Sequence, residues 1–339
     1  MNECLNAIPG LSKVVSSRQY REALLLPLEV EEQYSNFAHG EYNQNFIFEH
    51  PTTHKKLLLR VERGSQMGIE NQIEYEYSGL KALEKCNRTP RAFYCDGSRS
   101  LCRNGVLVEE FLPGVKLDYE NRCHLSEAAS IFADIHSFPI PDNTGLIKVN
   151  NAFAEMLAEC KKMAAVYFQS SICESRIKAQ IVRLISEAEK TLVRLGEINY
   201  HFSIINTEVN NTNFLINESD SEPSYLIDWE KPLIADPAQD VGHFLADTTT
   251  FWKTDFFFTQ SEKIDFVGEY IDDISGRFKD DGLRDRCLKF ANFTCLRGIT
   301  WCAQASVDYA SNSKEILDDV TREKLGHYLD INYLKSVSL

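Results

Sequence analysis

The sequence is short of the features that mark several protein classes. Its ten cysteines, from Cys4 to Cys302, include no C-x-x-C pair. The spacing used by zinc knuckles and thioredoxin-like redox sites is therefore missing, and free thiols in a reducing compartment are expected. No apolar run approaches the roughly 18 residues that a membrane-spanning helix requires. The stretch from Met1 to Ser17 has no basic segment followed by an apolar one, so no secretory signal is expected and the cytoplasm is the expected location. Positive charge is scarce, with 36 Lys and Arg against 50 Asp and Glu and a net charge of −14. A phosphate-backbone binder needs clustered positive charge to release counterions, so neither nucleic acid nor a membrane is expected as a partner. Glycine is thin as well. The polar stretch from His39 to Asn45 contains a single glycine, too few for a Gly-rich phosphate cradle, although its backbone N–H groups could still cover phosphates.

What is present is an ordinary globular composition: 43% hydrophobic and 25% charged residues over 339 positions. Such a chain can bury a large core as one large domain or two linked ones. The first third reads as strands. An apolar run at 57–61 follows another at 45–48 across a polar turn, the pattern of an antiparallel hairpin. The segment 35–45 reads as a polar connector. A helix is expected over about 71–85, and strands over 91–95 and 106–111, before Pro113-Gly114 breaks the pattern. Beyond that point apolar residues recur at helical spacing over 125–138, 152–168, 175–195, 262–278 and 283–309. Short strand-like pieces at 204–205, 213–216 and 225–227 interrupt them. Phe256, Phe257, Phe258, Trp252 and Trp301 read as core more readily than as a cage for a cation, although aromatic faces do attract quaternary amines. No internal repeat or low-complexity tract is visible.

The interruption carries the chemistry. Glu208 precedes Asn213 by five residues, and Leu226-Ile227-Asp228-Trp229-Glu230 and Asp236-Pro237-Ala238-Gln239-Asp240 follow. Phosphoryl transfer uses such a set: one carboxylate orients or deprotonates the attacking hydroxyl, while an Asn amide oxygen and a later Asp hold Mg²⁺ on the nucleotide phosphates. Mg²⁺ takes hard oxygen ligands and keeps several waters, so two protein ligands suffice.

These motifs resemble those of the aminoglycoside phosphotransferase and choline kinase-like superfamily, small-molecule kinases with a protein-kinase-like fold. The family loop reads H-G-D-x-x-x-x-N, followed by I-D-[WF]-E and D-P-x-x-D. The resemblance covers about residues 36–301. It implies an α+β, bilobal fold with an extension at 1–26, a β-rich nucleotide-binding N-lobe at 27–112, and a mainly helical C-lobe at 113–339 with the catalytic loop and acceptor site. It implies Mg²⁺ and ATP as cofactors, with Asn213 and Asp228 as metal ligands and Glu230 as a further metal-site carboxylate. Arg60 takes the place of the strand-borne cation on the phosphates, and Glu76 that of its helix partner, with Glu74 a competitor on another face of the helix. Glu110 and Leu112 fall in the hinge whose backbone holds adenine, and Ile135-His136 ends the helix after it. Asp240 occupies the position that braces the catalytic loop.

The resemblance thus implies transfer of the γ-phosphoryl of Mg-ATP to a hydroxyl of a small molecule. An amine-bearing acceptor of aminoglycoside, choline or amino-sugar type suits the net charge of −14. The chain departs from the family at the catalytic loop, where Asn206-Thr207-Glu208 stands for His-Gly-Asp. Glu keeps a carboxylate but adds a methylene, and a misplacement of about 1 Å can cost on the order of 10²-fold in rate. The alternatives are a catalytically impaired nucleotide-binding protein, with Glu208 no longer an active base, and an enzyme of the same fold catalysing nucleotidyl transfer. The sequence does not name the acceptor or the oligomeric state.

Overall fold

Alternation along the hairpin at 43–62 decides what each side of the first sheet carries. In the computed structural model, residues 3–27, 29–39, 43–65, 67–196, 199–219, 222–311 and 319–339 are described. Contacts group the chain into two units: residues 1–116, 138–147 and 213–232 form the first, and 117–137, 148–212 and 233–339 the second. Elements are numbered along the chain.

In the first unit, β1 (Ser35–His39), β2 (Asn43–Glu49), β3 (Lys56–Glu62), β4 (Ala92–Asp96) and β5 (Val106–Glu110) form one antiparallel sheet in the order β1-β2-β3-β5-β4. Successive side chains of a strand point to opposite faces. Leu57, Leu59 and Val61 join Phe46, Phe48, Val106 and Val108 in a core that includes Leu11 and Val14 of α1 (Leu11–Val15) and Tyr20 of α2 (Arg18–Ala23). The Tyr20 and Tyr34 hydroxyls hydrogen-bond at 2.8 Å inside it. Within residues 1–26, which the sequence left without a role, Leu5, Ile8, Leu11, Val14, Tyr20 and Leu24 thus supply apolar cover to one face of the sheet.

The opposite face receives Leu58, Arg60, Leu107 and Glu109, with α3 (Gln72–Leu83) presenting Glu76 to Arg60. A second sheet, β6-β8-β9, pairs β6 (Val115–Lys116), β8 (Phe214–Ile216) and β9 (Tyr225–Leu226). The segment read as a connector contains a strand, β1. Ser35, Asn36 and Phe37 are exposed on this edge strand, so no apolar alternation marks it. The stretch from His39 to Asn45 includes Gly40, Glu41 and Tyr42, which lie outside the described residues.

The second unit is helical: α4 (Arg122–His136), α5 (Ala152–Gln169), α6 (Ser175–Leu195), α7 (Ala238–Leu245), α8 (Asp247–Lys253), α9 (Gln260–Ile274), α10 (Leu283–Ala310), α11 (Asp319–Tyr328) and α12 (Ile331–Ser336), with a two-stranded ladder of β7 (Ser203–Ile205) and β10 (Leu233–Ala235). α10 packs against α5 and α7. The Phe153 and Phe290 rings stack at 3.6 Å, and a Cβ on Gly242 of α7 would collide with Phe290, so glycine sets the close approach of α7 to α10. Observed helix ends differ from expectation where caps decide. α9 begins two residues before Glu262, because Thr259 and Glu262 form a capping box. α4 begins at Arg122, because the Asn121 side chain accepts the Cys123 N–H at 3.0 Å. Among the described residues no helix is long and apolar enough to cross a membrane.

Candidate active site

Arg60 is the centre of the charged face of the first sheet. It sits on the central strand β3, opposite Asn45 of β2 and Leu107 of β5. Its Nε lies 3.2 Å from Glu76 Oε1 and its Nη1 3.7 Å from Glu109 Oε1. Its Nη2 donates to Asp228 Oδ1 at 3.1 Å and to Glu230 Oε1 at 2.7 Å. Glu74, the other acid considered for pairing, is exposed.

One guanidinium therefore faces four carboxylates. The side chains of Glu76, Glu109 and Glu230 are 1%, 6% and 16% exposed, whereas that of Asp228 is 32% exposed. Asp228 is thus the carboxylate most open to an incoming ligand. Burial alone would lower the Arg60 pKa, but its carboxylate neighbours, Glu76 foremost, hold it well above the ordinary value. The acids cannot all share that benefit. Burial pushes Glu109 up from the ordinary 4.5 to about 7 against the pull of Arg60, and raises Glu76 in the same way.

The segment carrying Asp228 is fixed by its backbone. Asp228 has φ +64°, a left-handed conformation that Asp tolerates better than most residues and that costs about 1 kcal/mol or more. Trp229 is buried and its Nε1–H donates to Leu226 O at 2.9 Å. Gln72 Nε2 donates to Glu230 O at 2.5 Å, and the Tyr75 hydroxyl to Pro232 O at 2.5 Å. β8 and β9 pair Phe214 with Leu226, and Ile227 N donates to Asn213 O at 2.8 Å. That ladder brings the backbones leading into Asn213 and Asp228 side by side. Asn43 Nδ2 also donates to Glu230.

Asn213, Asp228 and Glu230 offer oxygen donors, the hard ligands Mg²⁺ prefers. A single cation, Arg60 Nη2, already bridges two of them, so the residues fit the ion. Among the described residues no group of three or more His, Cys, Asp or Glu forms a protein cage for a metal, and Mg²⁺, which keeps several waters, needs none. Glu110 ends β5; its N–H donates to Arg91 O at 2.9 Å and its carboxylate lies 4.0 Å from Lys55. Leu112, two residues on, is buried. The carboxylate in contact with Arg60 is the preceding residue, Glu109. The sequence reading passed over it, although its place on the same strand face as Leu107 is readable from the alternation of β5.

Glu208 belongs to the second unit, in a loop that Asp240 braces. Asp240, buried in the first turn of α7, accepts the Asn206 N–H at 2.7 Å and the Thr207 N–H at 2.8 Å. The Asn206 side chain accepts the Glu208 N–H at 2.9 Å, so Asn in place of the family His still serves the loop backbone. Thr207 has φ +72°, a conformation that glycine adopts freely and a β-branched residue does not. Asp236 pairs with Arg286 at 2.6 Å and accepts Ala238 N–H at 3.0 Å, fixing the start of α7. A residue missed in the sequence is Arg297 on α10. Glu159 holds it through contacts of 2.7 and 3.1 Å. Burial would lower its pKa, but Glu159 and, more weakly, Glu208 keep it raised.

The aromatics of this unit mostly pack on one another. Phe256 stacks on Tyr119 at 5.6 Å, Phe258 is buried, and Trp252 meets Trp301 edge-on at 5.3 Å. Cations of the same unit lie over other rings: Lys324 Nζ is 3.4 Å from the centroid of Phe251 and Lys148 Nζ 3.8 Å from that of Phe202.

The model of the phosphotransferase enzyme family matches residues 33–270. No curated protein sequence matches the chain. Among solved structures, a putative aminoglycoside phosphotransferase from Ralstonia eutropha is similar at TM-score 0.69 and 13% identity, over 97% of this chain and 99% of that one. Ethanolamine kinase from Plasmodium vivax follows at 0.60 and 17%, over 95% and 87%. Choline kinase from Cryptosporidium parvum matches at 0.60 and 13%, over 97% and 93%. These likenesses show the kinase-like α+β fold.

Proposed function

The chain belongs to the phosphotransferase enzyme family, and from that premise we propose that it transfers the γ-phosphoryl of ATP to a hydroxyl of an amine-bearing small molecule. The observation that carries this reading is the convergence of Arg60, Asp228 and Glu230 within 3.1 Å, with Asn213 in the turn just before β8, its carbonyl accepting Ile227 N–H at 2.8 Å. Phosphoryl transfer asks little covalent chemistry of the protein; it asks for positioning and charge stabilisation. Asn213 and Asp228 would hold Mg²⁺, with Glu230 beside them. Held there, the ion would supply positive charge against the phosphoryl oxygens. Arg60 would bind phosphate oxygens with the donors that now face Asp228 and Glu230.

Glu208 would accept the proton of the acceptor hydroxyl as its oxygen bonds to the γ-phosphorus and the bond to the β,γ-bridging oxygen breaks, leaving ADP. Asp240 fixes the loop that carries Glu208, and Arg297 provides a neighbouring positive charge. The net charge of −14 favours a cationic acceptor. A second reading, nucleotide binding without transfer, is favoured by one observation: Thr207 is held at φ +72° beside a Glu where the family has Asp.

The test is ADP formation with a panel of aminoglycosides, choline, ethanolamine and amino sugars. The natural chain is expected to turn over at least one of them. Glu208→Gln should lose about 10²-fold or more, the usual weight of a general base, and Glu208→Asp should also lose activity, because the loop is adapted to the longer side chain. Metal-dependent ATP binding with no turnover on any acceptor, or a gain of activity in Glu208→Asp, would instead favour the binding-only reading.

A further inference from the structure

A guanidinium is planar, and its orientation is set by what faces its three nitrogens. In Arg60, Nε faces Glu76, Nη1 faces Glu109, and Nη2 faces Asp228 and Glu230. On the reading above, Asp228 and Glu230 would serve the metal in the Mg-nucleotide complex and Nη2 of Arg60 would be released to phosphate. Two anchors then remain. Glu76 by itself fixes one point: its carboxylate lies 3.2 Å from Nε without the alignment of a hydrogen bond. A single contact at Nε leaves the far end of the guanidinium free to tilt.

We propose that Glu109 is a positioning residue, the second anchor that holds the Arg60 guanidinium in the plane from which it meets the nucleotide phosphates. Register supports this. Glu109 lies opposite Leu58 across the β3–β5 ladder, and Arg60 is two residues along from Leu58 on the same face, the diagonal position from which long side chains reach each other. The neighbours on that face, Leu58 and Leu107, show that the site accepts an aliphatic residue. A carboxylate buried to 5% exposure there is costly unless it is paired, and its partner is Nη1 of Arg60, an ion pair at 3.7 Å. The inference rests on the phosphotransferase reading for what the plane is used for, but not for the contact itself.

The experiment compares the full-length natural chain with Glu109→Gln, which keeps the shape and removes the charge, and Glu109→Leu, which matches Leu58 and Leu107. Mg-ATP affinity, KM for ATP and KM for the acceptor are measured for each, alongside Glu76→Gln and the Glu76→Gln/Glu109→Gln pair. Both Glu109 variants are expected to weaken Mg-ATP about tenfold or more and to raise KM for ATP while leaving acceptor KM unmoved. The double variant should lose more than the product of the single factors, since each anchor covers for the other. Natural affinity in Glu109→Leu would mean that Glu109 only fills space, and would overturn the proposal. If the natural chain binds no Mg-ATP, it is the phosphotransferase reading that fails, and the ligand-free protein still decides the anchor. In the Asp228→Ala/Glu230→Ala chain, where Nη2 has lost both of its acceptors, the Nη1 and Nη2 resonances of Arg60 should be distinct while Glu109 is present and averaged when Glu109→Leu is added. Resonances equally distinct in both would overturn it.

Discussion

At the scale of single residues, one cation is shared among several acids. Arg60 meets four carboxylates, and the two nearest the strand and helix, Glu76 and Glu109, are almost wholly buried. Glu109 titrates near 4.5 in an unfolded chain and at about 7 in the fold, because burial disfavours its charge more than Arg60 favours it. Between those values the native state holds the extra proton. This group therefore stabilises the fold fully below about 4.5, and that contribution is lost as pH rises through about 7. Urea midpoints of the metal-free protein should accordingly fall more steeply across this window in the natural chain than in Glu109→Gln; equal slopes would contradict the assignment. The motif spacing led to Arg60 and Glu76, and the structure places them 3.2 Å apart. The same spacing gave no hint of Glu109, because a resemblance read from motifs points to the neighbouring Glu110 and only sheet alternation separates the two. Thr207 escaped for a related reason. A left-handed backbone leaves no mark in composition when the residue there is not glycine.

At the scale of elements, legibility followed amphipathicity and length. α6 begins and ends at the expected residues, 175–195, and α10 extends one residue past its expected end at 309. Both run for five turns or more, so apolar periodicity has room to declare itself. α1, α2, α7 and α8 span five to eight residues each, too few turns for a periodic signal, and β1 is an exposed polar edge. The short helices are nonetheless part of the core. Leu11 of α1 is fully buried among Val14, Leu59 and Val108. Leu11→Ala should cost about 2–5 kcal/mol, read as a lowered urea midpoint with unchanged slope. A loss below about 0.5 kcal/mol would mean that residues 1–26 lie loosely on the sheet.

At the scale of the whole molecule, the family and the fold class were legible although the overall sequence has drifted far. The three structures named above share 13–17% identity with the chain at TM-scores of 0.60–0.69. What carries the resemblance in this sequence is short and local: Asp228-Trp229-Glu230 after Asn213, Asp236-Pro237 and Asp240 at a helix start, and Arg60 on the central strand. Each is tied to a backbone requirement as well as to chemistry. Asp228 adopts φ +64°, and Asp240 accepts two loop N–H groups. The acceptor was not legible, since its binding depends on surface shape and local charge and not on a fixed spacing.

The most direct test of the central claim is a calorimetric titration of ATP, with and without Mg²⁺, on the natural chain and on Asp228→Ala. The account predicts binding that requires the metal and is lost in the variant, at a cost of about 100-fold or more in affinity for removing a ligand and its charge. Absence of ATP binding in every condition, or binding indifferent to both Mg²⁺ and Asp228, would contradict it.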